Sequence, residues 1–159
     1  MRRLLILAGE DIGLADPRAV QVVAACAQAL QYVGLPEGKY HLALATVYLA
    51  TAPKSNSMTQ YFAVESLIQE QGAGPVPMHL RDASYKGAAR LGHGKGYQYP
   101  HSFPGHHVAQ QYLPDSVKDR RFYEPSDEGY EAEVAERLRS WRTGTSSEAS
   151  SPPLDQKKK

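Results

Sequence analysis

The stretch LGHGKGYQYPHSFPGHHVAQQYLP, residues 91–114, concentrates the side chains of this chain that could do chemistry. It holds four of the six histidines, a lysine and three tyrosines among many glycines and prolines. A phosphate cradle is the first candidate, since Gly92-His93-Gly94-Lys95-Gly96 has the glycines and lysine of a nucleotide loop. The order is wrong for one. A Walker A loop needs G-x-x-x-x-G-K-[ST], with a hydroxyl after the lysine and a helix opening there. Here Gly96 follows Lys95, and Tyr97-Gln98-Tyr99-Pro100 cannot open a helix.

A metal site is the second candidate. Zinc takes three or four ligands converging at about 2 Å, commonly from short-spaced pairs. His106 and His107 are adjacent and diverge by about 100° on a helix, or point to opposite faces of a strand. His101 and His106 are five residues apart across Pro104-Gly105, which is no recognised ligand spacing. A hydrolase built on His93, His101, His106 or His107 is therefore the weakest functional reading, and no metal site is assigned.

Nucleophilic catalysis finds no better footing. Lys54-Ser55-Asn56 invites comparison with serine–lysine enzymes, but S-x-x-K on one helix face and the G-x-S-x-G elbow are both missing. Glu10-Asp11 and Asp16 read as a loop and a helix cap rather than as paired catalytic carboxylates. The lone cysteine, Cys26, lies in an alanine-rich helical pattern and reads as a small buried residue; it excludes an internal disulfide. No catalytic residue is assigned.

The elements that must position these residues are mainly helical. At 159 residues the chain is one ordinary domain in length. Its longest apolar runs fall short of the roughly 20 residues that span a bilayer. The opening MRRLLILA superficially resembles a signal peptide, but it is short and runs into Glu10-Asp11, so it reads as a helix. That helix ends at Gly9 or continues into the two acids. Asp16-Pro17 supplies a cap and a first-position proline for a helix with Val20, Val23, Ala27 and Leu30 on one face, stopped by Gly34.

Pro36-Glu37 opens the next helix, apolar nearly all round and expected to be buried, with Pro53 beyond its end. Ser55 or Asn56 caps a fourth, with Tyr61, Val64 and Ile68 facing inward until Gly72. A short helix over Ser84 to Leu91 and a small ribbon pairing Tyr97-Gln98-Tyr99 with Arg121-Phe122-Tyr123 are expected further on. Ser126 or Asp127 caps the last helix, with Tyr130, Val134, Leu138 and Trp141 in a stripe. Asp127, Glu128 and Glu131 crowd its first turn, as the helix dipole favours. The expected architecture is mainly α: a helical bundle over 1–72, an irregular Gly/Pro/Tyr-rich arm and C-terminal helix over 73–142 packed on it in the same domain, and a polar, disordered tail over 143–159.

The net charge of +1 does not advertise a nucleic-acid binder. Its distribution is uneven, however. Residues 79–125 carry seven arginines and lysines against four acids. Arg81, Lys86, Arg90 and Lys95, with Tyr97 and Tyr99 as stacking platforms, are the candidate nucleic-acid contacts. Tyr48, Tyr61 and Phe62 are the candidate anchors of a self-association interface, because aromatic side chains concentrate at such surfaces.

Several segments in the same order carry a family resemblance. Glu10-Asp11-Ile12-Gly13-Leu14-Ala15-Asp16-Pro17-Arg18-Ala19 resembles the signature that follows the ATPase lid in the replication-associated recombination protein A family (RarA, also MgsA). These are AAA+ ATPases related to the eukaryotic Werner-helicase-interacting ATPase. The resemblance continues through Val47 to Asn56, Pro75 to Ala83, Gly94 to Tyr97, Gln111 to Pro114 and Arg121 to Pro125, and so covers about residues 2–142.

The resemblance implies a C-terminal helical module similar to the clamp-loader collar domain, through which subunits form a homotetramer. It implies that the Walker segments, sensors and arginine finger lie upstream, so that ATP and magnesium belong to that region and this chain holds no cofactor. A helix that begins at once with Arg2-Arg3-Leu4 suits an interrupted chain. The full-length family members are DNA-stimulated ATPases of stalled forks and recombination. That implies a cytoplasmic, nucleoid-associated protein whose partners are itself, DNA and replication or repair proteins, with no membrane. The expected function is oligomerisation, with nucleic-acid binding by the 79–125 region as the alternative.

Overall fold

A computed structural model describes residues 1–143, so the expectation of a disordered tail falls, from residue 144 onward, outside the described residues. The chain folds as five α-helices joined by short 3-10 turns, with no strand among the described residues. These are α1 (Arg2–Leu7), α2 (Arg18–Val33), α3 (Lys39–Thr51), α4 (Tyr61–Gln71) and α5 (Tyr130–Thr143). The described residues form two compact units. The first comprises 1–66 and 121–137, and the second 67–120 with 138–143.

In the first unit, α1 does not stop at Gly9. It runs on as a π-helical turn, Ala8–Ile12, which buries Ala8 and Ile12. Gly13, at φ +52, then redirects the chain into the 3-10 turn Gly13–Ala15. Asp16 caps α2 as its sequence position indicates: Oδ1 accepts the Arg18 backbone N–H at 3.1 Å, satisfying one donor that the helix leaves open. The core is small. Ala8, Ile12, Ala19, Val23, Cys26, Ala45 and Leu49 are buried together, with Leu4, Leu5, Leu7 and Tyr48 packed around them. Alanine at the crossing points of α1, α2 and α3 lets the backbones approach, and Cys26 is one of the small buried residues, as its pattern implies.

Four expectations are corrected. First, α3 starts at Lys39, because Pro36–Gly38 closes a turn in which the Gly38 N–H donates to Gly34 O at 2.7 Å. This helix is also not buried all round: Ala45 and Leu49 are inside, while Tyr40, Leu44 and Val47 are exposed. Second, α4 contains no fully buried residue, and Tyr61 and Ile68 lie outward. A short helix can bury only one stripe, and this core is already filled by alanines and a few larger side chains. Third, Ser84–Leu91 yields only the 3-10 turn Ala88–Leu91, between Gly87 and Gly92, both left-handed. Fourth, the ribbon does not form. Tyr97 instead closes a turn onto Gly94 O, and Gln98 is held by the Gln110 side chain.

Gly129, immediately before α5, has φ +54, and a Cβ there would sit 2.1 Å from Ala15 O and 2.8 Å from Pro53 Cγ. Gly34, at the end of α2, has φ +73 but open space around the same position. Gly34→Ala should therefore cost only backbone strain, about 1–3 kcal/mol. Gly129→Ala should cost clearly more, since the Ala15 carbonyl must move. Urea unfolding of the two variants beside the parent chain measures the difference.

Candidate functional site

The segment after α3 is built around one buried acid. Glu131, in the first turn of α5, is fully buried. Its carboxylate accepts hydroxyl hydrogen bonds from Ser55 at 2.5 Å, Ser126 at 2.6 Å, Tyr123 at 2.7 Å and Ser57. The Ser126 backbone N–H adds a fifth at 3.0 Å. The donors converge because two chain turns bring them there. Ser55 is held by its N–H on Asp11 O at 2.8 Å, and Gln60 pairs with the Glu124 backbone in both directions at 2.8 and 2.9 Å. Ser126 Oγ also accepts the Glu128 N–H in a local serine turn; α5 begins only at Tyr130, so neither Ser126 nor Asp127 is its cap, contrary to expectation.

Burial alone would raise the Glu131 pKa. The hydrogen bonds from Ser126, Ser55, Ser57 and Tyr123 outweigh it and hold the group down at about 2, against an ordinary 4.5. Burial and the bond to Glu131 push the Tyr123 phenol upward in turn. Held ionised well below neutral pH, the carboxyl exchanges no proton near neutrality. It is a fastener that closes residues 121–131 onto the α3–α4 connection. From sequence, Glu131 is one of three acids expected near the start of the last helix to complement its dipole. The signal that could have found it was the supply of hydroxyl donors at Ser55, Ser57, Tyr123 and Ser126.

A smaller version ties α3 to the start of α2. Tyr48 OH donates to Asp16 Oδ2 at 2.6 Å, and Arg18 Nε to Oδ1 at 3.1 Å. Burial works to raise the Asp16 pKa, and these bonds bring it below the ordinary value. Of the three interface candidates, Tyr48 is thus partly buried and engaged inside the bundle. Tyr61 and Phe62 are 61% and 64% exposed, edge to face at 5.8 Å. Phe62 lines an open groove of about 320 Å³ with Ile6, Gly9, Glu10, Met58 and Thr59.

A further apolar surface lies on α2 and α3, within the helices from Pro17 to Gln71 whose apolar residues exceed what one small bundle needs. From Ala19 to Pro53 the only formally charged residues are Glu37 and Lys39. Tyr40, Leu44 and Val47, at i, i+4 and i+7 on α3, are 78%, 55% and 61% exposed, with Ala43 and Ala50 exposed beside them. Tyr32, Val33 and Leu35 at and after the end of α2 are also exposed.

In the second unit, the turn at Gly92–Gly96 lies against residues 78–83. The Gly94 N–H donates to Met78 O at 3.0 Å, and a Cβ on Gly94 would reach Ala83 Cβ at 2.7 Å. Lys86, Arg90 and Lys95 are exposed and have no ion-pair partner among the described residues. Arg81 differs: its Nε donates to Val76 O at 2.8 Å, and Asp82 stands beside it. Tyr97 and Tyr99 are half exposed. The histidines are dispersed. His93 Nδ1 meets Tyr85 OH at 2.7 Å, His107 stacks on Trp141 at 4.7 Å, and His101 and His106 are in ring contact at 4.8 Å. Among the described residues no three His, Cys, Asp or Glu side chains are grouped to hold a metal ion. No described helix is long and apolar enough to cross a membrane.

Removing the Glu131 charge tests the fastener. Its folded pKa is depressed, so its stabilisation is complete above about pH 4.5 and is lost as pH falls toward 2. Glu131→Gln should cost about 3 kcal/mol at pH 7. It should also flatten the decline in stability between pH 4.5 and 2, read by thermal unfolding followed by circular dichroism.

Residues 1–142 match a family model described as MgsA AAA+ ATPase C terminal. Over 138 residues the chain is 51% identical to an uncharacterized AAA domain-containing protein of Mycobacterium tuberculosis, covering 86% of this chain and 30% of that protein. It is 45% identical over 131 residues to the replication-associated recombination protein A of Bacillus subtilis, covering 80% and 31%. To the ATPase WRNIP1 of Dictyostelium discoideum it is 40% identical over 126 residues, covering 78% and 14%. The chain spans about a third or less of the length of these relatives. With a helical fold over the same residues, this chain belongs to the C-terminal domain family of the MgsA (RarA) AAA+ ATPases.

Proposed function

We propose that this domain assembles its AAA+ ATPase into a homotetramer that acts with DNA in replication-fork maintenance, recombination and repair. The nucleotide site belongs to a region outside this chain, so the chain by itself holds no ATP or magnesium and does not hydrolyse ATP. The names of its relatives, a replication-associated recombination protein among them, support the cellular setting. The cytoplasm, beside the nucleoid, is the corresponding location, and replication or repair proteins are the corresponding further partners.

One observation carries the assembly: the uncharged, exposed face of α3 formed by Tyr40, Leu44 and Val47. Two helices that lack charge from Ala19 to Pro36 and from Tyr40 to Pro53 are poorly suited to solvent on their outer sides. Large exposed apolar patches on soluble proteins mark contact surfaces. Their area is better used by a second copy than by the small alanine-rich core, which is already closed. Tyr61 and Phe62 offer further aromatic anchors in the same unit, and Tyr48, held by Asp16, supports α3 from behind.

Light scattering on the eluting peak of a size-exclusion column, at tens of micromolar chain, tests the reading. The expected mass is about four times the 17.5 kDa chain. Leu44→Glu combined with Val47→Glu should give a single 17.5 kDa species with unchanged helical circular dichroism, because both positions are exposed in the single chain. A monomeric parent chain would overturn the reading.

A further inference from the structure

From Ala83 to Pro114 the arm carries no aspartate or glutamate, while Lys86, Arg90 and Lys95 supply three cations and His93, His101, His106 and His107 four imidazoles. Within it a row of rings forms at the surface. Tyr99 contacts His101 at 5.2 Å with a tilt of 47°, and His101 contacts His106 at 4.8 Å with a tilt of 49°. All three residues are exposed, Tyr99 at 51%. His106 is held in the row by a left-handed backbone, φ +53, and is the one non-glycine residue with positive φ among the described residues. Such strain is retained where surrounding structure over-determines it, often at ligand clamps.

These rings are open to solvent, and no acid within the arm offsets its lysines and arginine. Rings open to solvent on a cationic, acid-free segment are complementary to a polyanion that presents flat π-faces. Among macromolecules, unpaired nucleic acid combines the two, because its bases are free to stack and its phosphates repeat along the strand. Duplex DNA offers only the phosphates, its base faces being occupied.

We propose that the Tyr99–His101–His106 row is a stacking platform for single-stranded nucleic acid, with Lys86, Arg90 and Lys95 contacting its phosphates. The platform extends the nucleic-acid contacts expected from sequence by two histidines, and it replaces Arg81, which is engaged with Val76, as a principal contact. It rests on the second unit alone and does not depend on self-association through α3.

Fluorescence anisotropy of the full chain with labelled oligo-dT of about 20 nucleotides, beside a duplex of equal length, tests it. Single strand should bind at least tenfold more tightly than duplex at about 50 mM salt, and weaken steeply by 200 mM. Combining Tyr99→Ala, His101→Ala and His106→Asn should lower single-strand affinity tenfold or more with little change in salt slope. Asparagine is chosen because it tolerates the left-handed backbone. Combining Lys86→Ala, Arg90→Ala and Lys95→Ala should reduce the logarithmic salt slope by about 2. Tyr99→Phe should retain binding that Tyr99→Ala loses, which separates ring stacking from any general disturbance of the arm. Equal affinity for duplex and single strand, or full affinity in the ring variant, would overturn the proposal.

Discussion

The buried carboxylate of Glu131 is the constraint on which the first unit depends. An ionised group with no solvent contact is tolerated only if its lone pairs are filled, and here four hydroxyls and a backbone N–H fill them. The donors come from two turns, Ser55 and Ser57 after α3 and Tyr123 and Ser126 before α5. Residues 121–131 are thereby closed onto the α3–α4 connection without a large hydrophobic contact. Gly129 belongs to the same device, since only a residue without a side chain can pass the Ala15 carbonyl there.

That polar closure explains how a unit with so small a core can leave so much apolar surface outside. Alanines at the contacts of α1, α2 and α3 bring backbones together but bury little area each, and much of the energy of holding the unit shut falls to hydrogen bonds to a charge, the stronger class. The larger apolar side chains of α3, Tyr40, Leu44 and Val47, are then left outside. The economy of the core and the exposure of this apolar face are two sides of one arrangement.

The second unit is shaped by different physics. Its glycines and prolines forbid long elements, so its backbone is satisfied locally by turns onto Gly94, Pro100 and Pro114 and by side chains such as Gln110 and His79. Aromatic rings therefore meet one another in short surface contacts instead of packing beneath a helix face. With no acid between Ala83 and Pro114, the arm carries both basic residues and exposed rings.

How much of this could be read beforehand depended on the range of the interactions. Helix positions and stops followed from local rules: Asp16-Pro17, Gly34 and Gly72 mark boundaries because cap chemistry and left-handed backbone act over a few residues. The mismatch of residues 91–114 with Walker A and zinc-ligand spacings was likewise legible along the chain, and the family could be named from ordered segments. Which faces are buried was not legible. The outward positions of Tyr61 and Ile68, and the half-open α3, depend on a core that alanines from three helices had already filled. The Tyr97–Tyr99 ribbon failed because Gln110 and the Gly94 turn outcompeted a strand partner at a distance. The sequence alone determined the main helices, the stops at Gly34 and Gly72 and the acid-free composition of the arm, since each is set by neighbours along the chain. Only the tertiary structure decided that Glu131 is a buried fastener and that Tyr99, His101 and His106 form one row, because each depends on side chains brought together by turns that no local pattern specifies.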